Sequence, residues 1–429
     1  MNRDIFIIGF MLFSLFFGAG NLIYPPTLGL DAGTAYWIAI SGFILTGVGL
    51  PIITVTAISF VKNDARELAD RVHPLFGLIF TSIVYLTIGP FFGIPRAATV
   101  AYEMGIQPFT NHSPLILLSF TVIFFALVFW VALNPTKMVD RVGQILTPIL
   151  ILAIIALGIG CFLLLKNPLS QPIGKYATMP FFTGFAEGYL TMDAISALAF
   201  GIIVINAFKE RGIMNRNNLI KSTLKAGSIA GISLVTIYIL IGFIGTKMSV
   251  HQPFRNGGEI LSYAAYLIYG NFGTLLLGII VILACFTTTV GLVSACGQFF
   301  AKTVGISYQS IIFTVTIAGF IISNQGLDLI ISYSVPVLVF IYPISIVLIL
   351  LAFIYPFLKN ATYVYRGAIL PTAIVGLYDC LVSFGITMPT ISSVMNMLPF
   401  TTIGLGWLVP ACIGGIIGKL LTPERNLLD

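Results

Sequence analysis

The sequence predicts an all-α integral membrane protein that crosses the bilayer about twelve times. Three observations carry this. Of the 429 residues, 58% are hydrophobic and only 8% charged, against about 25% charged in an ordinary soluble chain. Apolar runs of about 18–25 residues recur from end to end, each long enough as a helix to span roughly 30 Å of hydrocarbon. The basic residues gather in alternate connections between those runs. Segments of about ten residues with alternating polarity, the mark of a membrane barrel, are absent.

The spans fall near residues 5–28, 35–60, 75–102, 114–133, 143–165, 187–207, 226–246, 271–301, 308–324, 328–357, 367–388 and 399–420. With the amino terminus in the cytoplasm, the inner segments hold Arg3; Lys62, Arg66 and Arg71; Lys137 and Arg141; Lys209, Arg211, Arg216, Lys221 and Lys225; Lys302; Lys359 and Arg366; and Lys419 and Arg425. Only Arg96, Lys166, Lys175, Lys247 and Arg255 of the 21 Lys and Arg lie elsewhere. This is the positive-inside distribution. The net charge of +6 therefore reports topology rather than nucleic-acid binding. The first apolar run is too long for a cleavable signal peptide and lacks a small-residue cleavage site.

The cysteines, Cys161, Cys285, Cys296, Cys380 and Cys412, all lie in apolar spans without paired spacing, so neither a disulfide framework nor a zinc site is indicated. His73, His112 and His251 read as ordinary loop residues. The longest stretches outside the spans, 166–185 and 247–270, are about 20 residues each. No Walker loop, nucleotide fingerprint, HExxH or Ser/His/Asp set is present. An enzyme has no domain in which to work, and no cofactor is called for.

Two spans carry interruptions: "FGAGN" (17–21) in the first, with Pro25 and Pro26 close behind, and "TMDAISALAFG" (191–201) in the sixth. Non-helical backbone at membrane depth requires protein or a water-filled cavity around it. The interrupted spans are five apart, an odd number, so their five-span units would cross the membrane in opposite senses. That is the inverted-repeat design in which paired broken helices surround a central site. Its units would be residues 1–166 and 167–365, with 366–429 as two accessory helices. A helix break exposes N–H groups on one half, which suit a carboxylate, and carbonyls on the other, which suit a cation or an ammonium group.

"FFGAGNLIYPP" in the first span, "GPFFGIPRAATVAYE" (89–103) in the third and "EGYLTMDAISALAFG" (187–201) in the sixth resemble the branched-chain amino acid:cation symporters. These are bacterial Leu/Ile/Val carriers of the amino acid–polyamine–organocation superfamily, with a LeuT-like 5+5 inverted repeat and discontinuous helices 1 and 6. The resemblance covers essentially the whole chain. It implies import of Leu, Ile or Val across the bacterial inner membrane by a protein that works as a monomer in lipid.

The LeuT-like sodium symporters place one Na⁺ between the break in span one and span eight, where a small residue is followed after two spacers by two hydroxyl residues. Here that pattern is Ala284-Cys285-Phe286-Thr287-Thr288, and matching Gly-x-Gly-Asn adds the carbonyls of Ser14 and Phe17. The alternative is that Thr287, Thr288 and Thr289 bond back to their own helix. For the substrate, the N–H groups of Ala19, Gly20 and Asn21 would take the carboxylate. An unwound segment from Ile195 through Ser196, Ala197 and Leu198 to Ala199 would supply carbonyls for the ammonium group, with Phe200 as a pocket wall. Helix packing is the alternative role for Gly18 and Gly20.

Asp193 is expected either to contact a coupling ion, proton or ammonium group, or to cap the half-helix that follows it. Arg96 is expected either to snorkel outward or to pair with a carboxylate in an outer gate. Glu103 and Glu187 are expected to be solvated. Neutral threonine oxygens favour Na⁺ as the coupling ion, while Asp193 keeps H⁺ open. A channel or facilitator, whose pore would show polar rings, and a membrane sensor are the rival classes.

Overall fold

The computed structural model describes residues 2–61, 65–110, 113–134, 147–251, 253–358, 361–386 and 388–421. His112 and the expected inner charges Lys62, Lys137, Arg141, Lys359 and Arg425 lie outside the described residues. Within them all regular structure is helical.

Helices α1 (Asn2–Phe16) and α2 (Ala19–Ala32) occupy the first expected span. The second holds α3 (Tyr36–Ile44) and α4 (Leu50–Ile58), joined by a π turn at Leu45–Gly49. After the short α5 (Arg66–Asp70), α6 (Pro74–Leu86) and α7 (Gly93–Gly105) form the third, separated by a π turn at Thr87–Phe91. Spans four and five are α8 (Pro114–Ala132) and α9 (Thr147–Leu164). The sixth is α10 (Pro180–Gly188) and α11 (Asp193–Glu210), and the seventh α12 (Arg216–Thr246). Then follow α13 (Gly257–Val304), α14 (Tyr308–Ser323), α15 (Leu327–Ile354), α16 (Ala361–Ser383), the short α17 (Pro389–Met395) and α18 (Leu408–Leu420).

Every region expected to span thus contains helix among the described residues. Among the described residues, eight helices are long and apolar enough to cross a membrane alone, or nine when the bent pair Pro180–Thr191 and Asp193–Glu210 is taken as one. The difference from twelve is one of length and continuity. Helices α14 and α18 are apolar but short, and Ala19–Ile58 runs on as one helical stretch of 40 residues. The outer surface is apolar, with Leu115 and Trp130 each 70% exposed and Phe162 72%. Hydrocarbon is the matching solvent for such a surface, because water penalises it by about 25 cal/mol per Å².

Both interruptions are real. The first falls at Phe17 and Gly18, where Gly18 is extended (φ −132°, ψ −154°). Pro25 and Pro26 do not break the chain; α2 continues through both. The second break lies at 189–192, not at 195–199 as expected. Tyr189–Thr191 form a single tight turn, Met192 is left-handed (φ 67°), and regular helix resumes at Asp193 with a bend of 44°. The reason is local. Ala194, Ala197 and Ala199 are strong helix formers, and an acidic residue is favourable in a first turn, so Asp193 starts a helix rather than preceding an unwound stretch.

Close backbone packing holds α2. A side chain at Gly245 of α12 would overlap the Pro26 carbonyl oxygen, and one at Gly242 would meet the Tyr36 hydroxyl at 2.7 Å. In α13 the helix kinks at Gly270 (φ 61°, ψ −152°). Only glycine adopts that conformation readily, and the eighth span begins immediately beyond it.

The chain separates into two compact units. One comprises residues 1–56 and 85–332 and contains both breaks; the other comprises 57–84 and 333–429. These units follow packing, whereas the boundaries expected at 166 and 365 assume an inverted repeat, a different division of the chain. In the second unit the Arg71 guanidinium lies 3.7 Å from the Tyr355 ring centre and donates to the Tyr365 hydroxyl at 3.0 Å. There α16 and α18 meet through Gly367 and Gly414, whose backbones leave no room for a side chain.

Gly245→Ala is expected to destabilise the protein by about 1–3 kcal/mol, the usual cost of overpacking. A comparison of thermal unfolding in detergent checks this, with Gly212→Ala in an open loop position as the strain-only control.

Candidate functional site

The last carbonyls of a helix and the first N–H groups of the next have no partner within their own helix. At the first break the carbonyls are those of Ser14 and Phe17. The Thr288 hydroxyl reaches across from α13 to both, 3.3 Å from Ser14 O and 3.2 Å from Phe17 O. Its two neighbours behave differently. Thr287 donates to Ala284 O at 2.9 Å and Thr289 to Cys285 O at 2.7 Å, each one turn back on the same helix. Of three consecutive threonines, one bridges helices and two bond back. Gly18 makes the approach feasible, since a Cβ there would stand 3.1 Å from the Thr288 hydroxyl.

Asn21 and Asp193 join the two breaks directly. Asn21 accepts from the Gly18 N–H through Oδ1 (3.0 Å) and donates through Nδ2 to Asp193 Oδ2 (2.6 Å) and to the Tyr238 hydroxyl. Tyr238, from α12, itself donates to Asp193 Oδ2 at 2.9 Å. Asp193 is therefore not an N-cap; Met192 holds that position and contributes no side-chain bond. The carboxylate is 3% exposed and lies at the positive ends of both α2 and α11, where a negative charge is stabilised.

Arg96 neither snorkels outward nor meets a carboxylate. It is 3% exposed, in the first turn of α7 just beyond the π turn containing Gly89 and Pro90. Its Nη1 donates to Leu190 O at 2.8 Å and its Nη2 to Thr191 O at 3.1 Å. It thus satisfies the carbonyls released where the first half of span six ends. Gly20 sits against this junction: a Cβ there would lie 2.8 Å from Arg96 Nη2 and 2.9 Å from both Cα and O of Thr191. Gly18 and Gly20 are required by close approach to these polar elements rather than by helix packing alone.

Of the expected substrate residues, Ala19, Gly20 and Asn21 form the buried first turn of α2. Ile195, Ser196, Ala197, Leu198, Ala199 and Phe200 are buried but helical, so their carbonyls are engaged in the helix ladder. The free carbonyls of span six belong instead to Leu190 and Thr191. Phe200 packs against Phe16 with ring centres 6.0 Å apart, at the end of α1 next to the break. Glu103 is half-buried and accepts from Asn256 at 3.1 Å, and Glu187 is half-buried, with one carboxylate oxygen buried and lacking a hydrogen bond; neither is simply solvated. Tyr238 and Thr191 were missed by sequence reasoning. For Tyr238 the only signal is one tyrosine in the apolar run "VTIYILIGF", which looks the same whether it faces lipid or a partner.

Two facing broken helices, with polar side chains from three further spans closing over the freed peptide groups, define a membrane transporter of the LeuT-like fold. Solved structures bear out the fold. The protein described as MhsT in complex with L-phenylalanine superposes with a TM-score of 0.58 at 17% identity, covering 96% of this chain and 97% of that one. The nucleobase-cation-symport-1 family transporter MHP1 gives 0.60 at 14% identity, covering 96% and 91%.

The family model described as branched-chain amino acid transport protein matches residues 1–425, and this chain belongs to that family. It is 43% identical over 434 residues to the branched-chain amino acid permease BraB of Bacillus subtilis (99% of this chain, 98% of that protein) and 44% identical over 436 residues to BrnQ of the same organism (98% and 97%). The branched-chain amino acid transport system 2 carrier protein of Pseudomonas aeruginosa is 38% identical over 415 residues (96% and 95%).

Tyr238→Phe is expected to lower stability by about 1.5–3 kcal/mol, since it removes a hydrogen bond to a charged group. Thr289→Val should cost under about 1.5 kcal/mol, because that hydroxyl only bonds back to its own helix. Denaturant unfolding of both variants side by side checks the contrast.

Proposed function

We propose that the protein imports branched-chain L-amino acids by sodium symport through alternating access, in the bacterial inner membrane, with its amino terminus in the cytoplasm and a monomer as the working unit. The family and its named relatives support the substrate class. An aliphatic side chain gains about 1.5–3 kcal/mol on full burial, so walls such as Ile195, Leu198 and Phe200 favour Leu, Ile and Val over Gly or Ser. The substrate carboxylate would take the unpaired N–H groups of Ala19, Gly20 and Asn21. Its ammonium group would face carbonyls at the break in span six, namely those of Leu190 and Thr191.

The observation that carries the sodium reading is the Thr288 bridge. Its hydroxyl and the Ser14 and Phe17 carbonyls lie with oxygen–oxygen separations of 3.2–3.3 Å. Six oxygens held about 2.4 Å from a hard cation, a distance within the range of oxygen shells around Ca²⁺, would have neighbours about 3.4 Å apart. The adjacent Thr287 hydroxyl and the Ala284 carbonyl, one turn back on the same helix, would bring the oxygens to five. Sodium would then join α1 to α13 and favour the closed first break, so that its gradient drives uptake. A proton-coupled reading rests on the buried Asp193 carboxylate.

Leucine uptake into proteoliposomes, with Na⁺ and pH gradients imposed separately, tests the proposal. Accumulation should follow the Na⁺ gradient. Thr288→Ala should raise the sodium concentration for half-activation by about tenfold, equivalent to about 1.4 kcal/mol, and Thr287→Ala by less. Uptake driven only by the pH gradient, or unchanged sodium activation in Thr288→Ala, would refute the ion assignment.

A further inference from the structure

Arg96 is more than the break in span six needs. Two carbonyls could be satisfied by one neutral amide group such as glutamine's. A guanidinium brings five N–H donors and a full charge, and here Nε is buried without a hydrogen-bond partner. Its location sharpens the point. Nη2 lies against Gly20, in the first turn of α2, where the helix end already carries partial positive charge and a second cation is unfavourable. The nearby Asp193 Oδ2 accepts from both Asn21 and Tyr238. Tyr24 offers the guanidinium a π face, 5.8 Å from its carbon, and a neutral phenol hydroxyl, neither of which carries a full negative charge. Asp193 attracts the guanidinium through space but makes no hydrogen bond to it, so this buried cation, set against a helix N-terminus with a donor unused, still has a place for an anion in direct contact.

We propose that Arg96 binds the substrate carboxylate, forming with the N–H groups of Ala19 and Gly20 one anion site that restricts transport to ligands with a free carboxylate. This rests on the transport reading above and deepens it. When the substrate enters, its ammonium group takes over carbonyls of Leu190 and Thr191 that Arg96 holds in its absence. The guanidinium then turns its donors to the carboxylate, a partner that accepts two parallel N–H bonds. A zwitterion completes the exchange with no change in buried net charge. An amine without a carboxylate would displace the guanidinium and leave it unpaired.

The test compares full-length wild-type protein with Arg96→Gln and Arg96→Lys in proteoliposomes, displacing labelled leucine with unlabelled L-leucine or with L-leucinamide. Wild type should favour leucine strongly. In Arg96→Gln that preference should fall by about 30-fold or more, the effect of losing one partner of a buried charge pair, and in Arg96→Lys by much less. Leucine binding in Arg96→Gln with its preference over leucinamide intact would overturn the assignment and leave a structural clamp. Wild-type vesicles that bind no leucine would instead sink the transport reading beneath it.

Should Arg96→Gln fail to fold, wild-type protein answers the question by solid-state NMR, with ¹⁵N in the arginine guanidinium groups and ¹³C in the leucine carboxyl. Arg96 is the one buried arginine among the described residues. Dipolar coupling of the strength of direct contact, lost in Arg96→Lys, supports the proposal. No coupling with leucine bound overturns it.

Discussion

A peptide group released from a helix inside a bilayer has no water to turn to, so the protein must answer it. Both breaks obey that constraint with side chains borrowed from other spans. Thr288 of α13 takes the carbonyls that end α1, Arg96 of α7 takes those that end the first half of span six, and Tyr238 of α12 steadies the Asn21–Asp193 pair between the two following helices. Each borrowed contact ties the pair of broken helices to a different neighbour. Loss of regular helix in two places thereby organises five spans around one point.

Those partners are also what makes the arrangement suited to transport. A continuous helix has spent its hydrogen bonds and has nothing to offer a small charged molecule. A broken one holds groups whose present partners, a hydroxyl or a guanidinium, can be exchanged for a ligand at modest net cost, because one hydrogen bond replaces another. On the transport reading, substrate and sodium compete for the same oxygens and N–H groups that side chains now occupy. Glycine at positions 18 and 20 keeps the exchange sterically open, since any Cβ would stand where Thr288, Thr191 and Arg96 must approach.

The membrane class and the first break were legible in the sequence because they rest on composition and on Gly-x-Gly-Asn, signals that need no tertiary context. The family pattern points to Thr287 and Thr288 together; that Thr288 alone bridges to α1 depends on the helix phase relative to α1, which neither the pattern nor periodicity supplies. The second break was placed several residues late. The sequence leaves Asp193 either as a contact beside an unwound stretch or as a cap of the helix that follows, whereas an acidic residue before "AISALA" marks the first turn where helix resumes. Pro25 and Pro26 misled in the other direction, since neighbouring elements let α2 run through them. Arg96 could not be resolved from sequence, because snorkelling, pairing and carbonyl binding call for the same residue and differ only in what the third span faces after its π turn.

The most direct test of the central claim is an experimental structure of the protein in lipid with leucine and sodium both bound. Leucine density should lie between residues 17–21 and 189–193, its carboxyl toward Gly20 and its side chain toward Leu198 and Phe200, with an ion among Ser14, Phe17 and Thr288. Leucine found instead in the cavity of about 320 Å³ lined by Tyr102, Glu103, Gln107 and Asn324, with both breaks unchanged and empty, would contradict it.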